Sequence, residues 1–114
     1  AGDYPFWLAP EQVRLLPVTD EVQPYAQQLL DQLTQAGVRA TIDRSGDRLG
    51  KLIRTGEQMK IPVLAVIGAK EAEQNAVSLR SRRDGDLGVT AVADLLNAAQ
   101  TANSQRAAGL ELNR

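Results

Sequence analysis

The chain has 114 residues, 43% apolar but only 4% aromatic, so aliphatic side chains must fill whatever core it builds. Thirteen basic residues nearly balance fourteen acidic ones, so net charge announces no nucleic-acid partner and any basic footprint has to be local. Cysteine and histidine are both absent, which excludes disulfides, thiolate nucleophiles, histidine base catalysis and the common zinc ligand sets within this chain.

The length suits one domain with a single core. No apolar run approaches a membrane span and no signal-peptide pattern opens the sequence. The lack of cysteine fits a reducing compartment. The abrupt start at Ala1, without an initiator methionine, is read as a domain cut from a longer chain.

Tyr4 to Pro10 holds three of the four aromatic residues, with a proline near each end, which predicts an extended lead-in whose rings plug the underside of the domain. Gln12 to Val18 reads as a first strand, with Pro17 late enough to cost only one ladder bond. Asp20 is placed as an N-cap with Gln23 as its capping-box partner. Val22, Ala26, Leu29, Leu33 and Ala36 then form one helical stripe, closed by Gly37 as a left-handed C-cap. Val38, Ala40 and Ile42 alternate with polar residues as a second strand.

Arg44 to Arg48 reads as a loop, followed by a helix from Leu49 to Met59 with Leu49, Leu52, Ile53, Gly56 and Met59 toward the core. Ile61 to Ile67 is short and unbroken in its apolar character, as befits a central strand buried on both faces. Ala69 to Glu73 is expected to be an acidic turn. Ala76 to Arg82 alternates, putting Ser78, Arg80 and Arg82 on one face and Val77 and Leu79 on the other. Asp84-Gly85 signals a hairpin that returns as a short strand over Asp86 to Gly88. Thr90 is assigned as the cap of a last helix with Val92, Leu95, Leu96 and Ala99 inward, and the pattern dissolves from Thr101 onward. The order of elements predicts a three-layer α/β/α fold: a five-stranded mixed sheet with three helices, its first three strands parallel.

Several motifs invite chemistry. Gly46 to Leu52 imitates a phosphate loop, but its glycines are one residue too close and Leu52 stands where a magnesium-binding hydroxyl belongs. The helix start beside Arg44, Arg48 and Lys51 can still attract an anion. Glu71 with Glu73, and Asp84 with Asp86, read as solvated turn carboxylates rather than an acid–base or metal pair. Arg80, Arg82 and Arg83, flanked by Ser78 and Ser81, leave two readings open. One is a solvated ladder paired with Glu71, Glu73 or Asp86. The other is recognition of splayed single-stranded RNA bases, which guanidinium groups stack on and fork to, with Glu71 adding an acceptor.

Taken together, Phe6-Trp7-Leu8-Ala9-Pro10-Glu11-Gln12-Val13, Leu49 to Arg54, Ile61 to Gly68, Lys70-Glu71, and Val77 to Arg83 with Asp86-Leu87-Gly88 resemble the C-terminal anticodon-binding domain of threonyl-tRNA synthetases. The likeness runs to about Ala99. The Trp-Leu-Ala-Pro opening and the Arg-x-Arg-Arg ending point to the threonyl member rather than to the glycyl, prolyl or histidyl ones.

This resemblance implies a tRNA-reading module with no catalysis of its own, bound to the anticodon loop of threonine tRNA and reading its second and third bases. It assigns base reading to Glu71 and Arg80, with a basic residue matched at Lys60; on this reading Lys60, Arg44, Arg48 and Arg83 would hold or attract the backbone, and Ser81 joins the expected site. Two positions depart from the family pattern: Gly46 replaces an asparagine found in some relatives, and Leu52 replaces a frequent lysine. The resemblance further implies a cytoplasmic, homodimeric parent ligase whose catalytic domain uses ATP, magnesium and zinc, with no cofactor in this piece and a fragment that is monomeric. Residues 1–12 would lead in from that catalytic domain, 13–102 would be the module and 103–114 a frayed tail. The alternative from another class is a stand-alone interaction or dimerisation module reusing the same fold.

Overall fold

A computed structural model describes residues 3–112. Its strands are β1 (Val13–Pro17), β2 (Ala40–Ile42), β3 (Val63–Ile67), β4 (Ala76–Ser81) and β5 (Gly85–Ala91), and its helices are α1 (Gln23–Gln35), α2 (Leu49–Gln58), α3 (Ala69–Glu73) and α4 (Val92–Gln105). The sheet order is β2-β1-β3-β4-β5. β1 pairs in parallel with both β2 and β3, whereas β4 and β5 run antiparallel, as the sequence predicts. The apolar run therefore does occupy the middle strand, and it is buried on both faces because helices cover both.

The two faces are unequally covered. On one, α1 and α4 lay Leu29, Leu33, Leu95 and Ala99 over Val13, Leu15, Val63, Ala65, Ile67, Val77 and Leu79, forming the larger core. On the other, α2 alone contributes Leu52 to a small cluster with Leu16, Ile61 and Leu64, with Ile53 and Val66 at its margin. Gly56 lets α2 approach closely, since a Cβ there would stand 2.6 Å from Leu64 Cδ2. One ten-residue helix cannot roof five strands. The part of this face over β4 and β5 stays open.

Several sequence expectations change. The acidic stretch Ala69 to Glu73 is the one-turn helix α3 rather than a turn. Gly68 as N-cap and Glu71 at the third position make half a capping box, the carboxylate accepting from the Gly68 N–H at 2.7 Å. Asp20 opens a 3₁₀ turn over Asp20–Val22 without a side-chain cap, and α1 starts only at Gln23. β5 runs longer than predicted, Thr90 lies within it, and Ala91 is the N-cap of α4. Leu49 and Met59 are exposed, because the apolar stripe of a short helix over a narrow cluster needs only its middle. The lead-in is a 3₁₀ turn, Phe6–Leu8, rather than extended. Phe6 is the buried plug, whereas Trp7 packs under the Arg106 guanidinium at 5.3 Å and Tyr4 is exposed.

The C-terminal stretch also differs from the frayed tail expected for 103–114. α4 continues through Gln105, the Phe6 N–H donates to the Ala108 carbonyl at 2.8 Å, and Leu110 and Leu112 pack against the larger core. Up to residue 112 the tail is held by irregular packing, which leaves no period in the sequence; residues 113–114 of the expected tail lie outside the described residues. Gln12 binds the two ends together. Fully buried, it donates Nε2 to the Phe6 carbonyl (2.8 Å) and to Asn103 Oδ1 (2.6 Å), and accepts at Oε1 from the Arg39 N–H (3.0 Å) and Asn103 Nδ2 (3.2 Å).

Candidate nucleic-acid interface

The open part of the α2 face is a pocket of about 400 Å³ lined by Val18, Leu49, Ile53, Val66, Gly68, Glu71, Ser78, Leu79, Arg80 and Asp86. Strand alternation explains its composition. Ser78 and Arg80 stand opposite Val66 and Leu64 of β3, so they share the α2 face. One wall is apolar, from Val18, Leu49, Ile53 and Val66, and the other carries a carboxylate, a hydroxyl and a guanidinium.

The polar groups are arranged unevenly. Glu71 is tied at both oxygens: Oε1 accepts from the Gly68 N–H and Oε2 from Ser78 Oγ at 3.0 Å. Its charge reaches α1, where burial and then the Glu71 carboxylate push the Tyr25 phenol above its usual pKa. Arg80 is half-buried, yet its guanidinium makes no hydrogen bond or ion pair among the described residues. Asp86 is its register partner on β5, but turns Oδ1 to the Gly88 N–H at 2.8 Å instead. A guanidinium carries five donors in a planar fork. At Arg80 that fork is left open beside a fixed acceptor and an apolar wall, a set of groups that can stack a planar ring and bond to its edge.

The two arginines have different surroundings. Arg82 is the structural one. It pairs with the Asp3 carboxylate and donates Nη1 to the Glu57 carbonyl at 3.0 Å. The Asp3 carboxyl is held below its usual pKa chiefly by the Arg82 hydrogen bond, with the charges of Arg82 and Lys60 adding to it and burial opposing. None of the carboxylates proposed for the ladder, Glu71, Glu73 or Asp86, forms an ion pair with Arg80 or Arg82 among the described residues.

The other predicted site residues are spread around this pocket. Ser81 and Arg83 join Arg80 in lining a second groove of about 710 Å³ that also holds Tyr4, Ile61 and Pro62. Ser81 Oγ spends its acceptor capacity on the Arg83 and Asp84 N–H groups, both at 3.1 Å, so it shapes the hairpin. The exposed Arg83 lies 3.9 Å from its neighbour Asp84. Lys60 follows α2 with φ +59. Arg44 donates to Gln27 (2.7 Å) and Gln23 (3.4 Å) on α1, and Arg48, the exposed N-cap residue of α2, leaves its side chain in solvent. The structure thus unites Glu71 and Arg80 in one pocket and leaves Lys60, Arg44, Arg48 and Arg83 outside its lining.

Sequence reasoning missed the apolar wall and the tie between Ser78 and Glu71. The spacing Gly68-x-x-Glu71 is a capping signature and could have placed the carboxylate. Nothing local marks the Ser78 contact, which crosses from a helix to a strand.

A family profile described as anticodon binding domain matches residues 12–101. The chain belongs to the anticodon-binding-domain family. At 94% identity over 114 residues, the domain is similar to the threonine–tRNA ligase of Synechococcus sp. strain CC9605, covering all of this chain and 19% of that protein. It is 58% identical over 106 residues to the threonine–tRNA ligase of Synechococcus elongatus, covering 93% of this chain and 18% of that one. The domain therefore spans about a fifth of the length of these relatives. The crystal structure of the RNA binding domain of threonyl-tRNA synthetase from Cryptosporidium parvum Iowa II matches it with a TM-score of 0.82 at 25% identity, over 96% of this chain and 26% of that chain. Histidyl-tRNA synthetase from Nostoc sp. PCC 7120 matches with a TM-score of 0.73 at 30% identity, over 78% of this chain and 21% of that one.

Proposed function

We propose that this domain is the tRNA-reading module of a threonine–tRNA ligase, and that it binds the anticodon loop of threonine tRNA. On this reading Glu71 accepts from base N–H groups and Arg80 donates to base acceptors, while Lys60, Arg44, Arg48 and Arg83 attract the phosphates and Ser81 holds the adjoining hairpin. The observation that carries the reading is the open Arg80 fork in one pocket with the doubly bonded Glu71 carboxylate. The identity to threonine–tRNA ligases along the whole chain supports the same assignment and disfavours a stand-alone interaction module.

The module contributes binding, not bond-making. ATP, magnesium and zinc, dimerisation and the ligase reaction belong on this reading to the rest of a cytoplasmic parent, which residues 1–12 would join to the module. Among the described residues, no three His, Cys, Asp or Glu side chains come together as a ligand set.

The test is titration of anticodon stem-loops. Arg80→Ala is expected to weaken threonine stem-loop binding by about 1–3 kcal/mol and to relax preference at one base, the usual worth of a good bidentate base contact. An equal loss for an unrelated stem-loop would make Arg80 a phosphate contact and overturn its role as a reader.

A further inference from the structure

We propose that Ser78 is a positioning residue for Glu71, and that the clamp formed by the Ser78 hydroxyl and the Gly68 N–H sets how sharply this module discriminates between bases. The inference rests on the base-reading role given above to Glu71.

The geometry defines the clamp. Glu71 Oε1 takes the Gly68 N–H at 2.7 Å and Oε2 takes Ser78 Oγ at 3.0 Å. The two donors come from different elements, the end of β3 and the middle of β4, so the carboxylate is fixed with respect to the sheet that carries Arg80. Gly68 leaves the room this requires. A Cβ there would stand 2.9 Å from Glu71 Oε1 and 3.4 Å from Val18 Cγ2, so a side chain would push the carboxylate aside. An ionised carboxylate offers about four lone-pair sites, and two remain for base N–H groups.

Fixing the group matters more for choice than for affinity. A free glutamate facing the wrong base can swing to water and lose little. A clamped one stays in place, keeping its two clamp bonds, and the mismatch leaves its outward lone pairs without donors in a partly buried setting, which is where discrimination comes from. Clamping also removes, before binding, rotamer freedom that would otherwise be lost on binding.

The experiment compares threonine anticodon stem-loops with ones carrying single anticodon substitutions, titrated against the wild-type chain, Ser78→Ala, Ser78→Thr, Glu71→Ala and the Ser78→Ala/Glu71→Ala double variant, with thermal unfolding as the folding control. Ser78→Ala should reduce the discrimination ratio roughly tenfold, the scale of one hydrogen bond to a charged group. Ser78→Thr, which keeps the hydroxyl, should retain it. In the Glu71→Ala background, removing Ser78 should change nothing further. Full discrimination in Ser78→Ala would overturn the clamp. So would equal losses from Ser78→Ala with and without Glu71, which would make Ser78 a direct RNA contact. A wild-type chain that shows no base preference would instead remove the reading of Glu71 beneath it.

Discussion

Arg80 and Arg82 lie two residues apart on one strand and its extension, yet they differ in what they can do. Arg82 is satisfied by Asp3 and a backbone carbonyl, whereas Arg80 keeps its fork open. The sequence shows only that both are arginines on an alternating strand. The difference comes from Asp3, 79 residues away. Gln12 makes the converse point, since a buried amide with four hydrogen bonds is structural despite its polarity. Gln12→Ala would leave the buried Phe6 carbonyl and the part-buried Arg39 N–H and Asn103 amide short of partners. Because each orphaned group costs about 1–3 kcal/mol, we expect the variant to lose at least ~2 kcal/mol of stability, read as a lower midpoint in urea.

Among the elements, helix ends explain most of what was and was not legible. Gly37, at φ +81, donates its N–H to Thr34 at 3.0 Å, while Val38 donates to Leu33 at 2.9 Å. This is a Schellman ending, which a glycine announces in the sequence. α2 ends the same way, with Lys60 donating to Glu57 and Ile61 to Gly56, but the left-handed position is filled by lysine and carries no such signal. Left-handed backbone costs a lysine about 1–2 kcal/mol, partly offset by the greater unfolded-state freedom of glycine. Relief of this backbone cost in Lys60→Gly should raise stability by about 0.5–1 kcal/mol in denaturant titration, less whatever the attraction of Lys60 to Asp3 contributes, while weakening RNA binding if Lys60 attracts phosphate. A variant that gains stability and binds RNA unchanged would remove Lys60 from the interface.

The pairing of β1 with β2 carries a pH dependence. Glu11 is doubly hydrogen-bonded by Arg14 and accepts from Thr41. Burial, the largest single effect, pushes its carboxyl up, but the bonds and charge of Arg14 with the Thr41 bond outweigh it and hold it below the usual glutamate pKa. Burial likewise pushes Asp43 up, and the Ser45 hydrogen bonds and the Arg14 charge more than reverse it. Lowered folded-state values mean stabilisation that is full above the unfolded values and fades as pH falls through the folded ones. Thermal midpoints should thus drop as pH falls through and below the ordinary carboxylate range, and drop less in Glu11→Gln, which starts lower at neutral pH.

For the whole molecule, the sequence told most about the sheet and least about what lies open on it. Strand order and direction follow from alternating strands, helices and a hairpin signal. The pocket follows from α2 being too short to cover β4 and β5, a fact of three-dimensional coverage that no local pattern encodes. With a formal charge of −1, the domain has no long-range pull on RNA, so the proposed binding would rest on local phosphate contacts and should be weak and strongly salt-dependent when detached from a larger protein. The most direct measurement is the affinity of this chain for the threonine anticodon stem-loop and for single-base variants of it, at low and at physiological salt. Higher salt should weaken every complex, whereas the preference for the threonine anticodon should persist and depend on Glu71 and Arg80. Equal binding of all the stem-loops, or a preference untouched by Glu71→Ala and Arg80→Ala, would contradict the account.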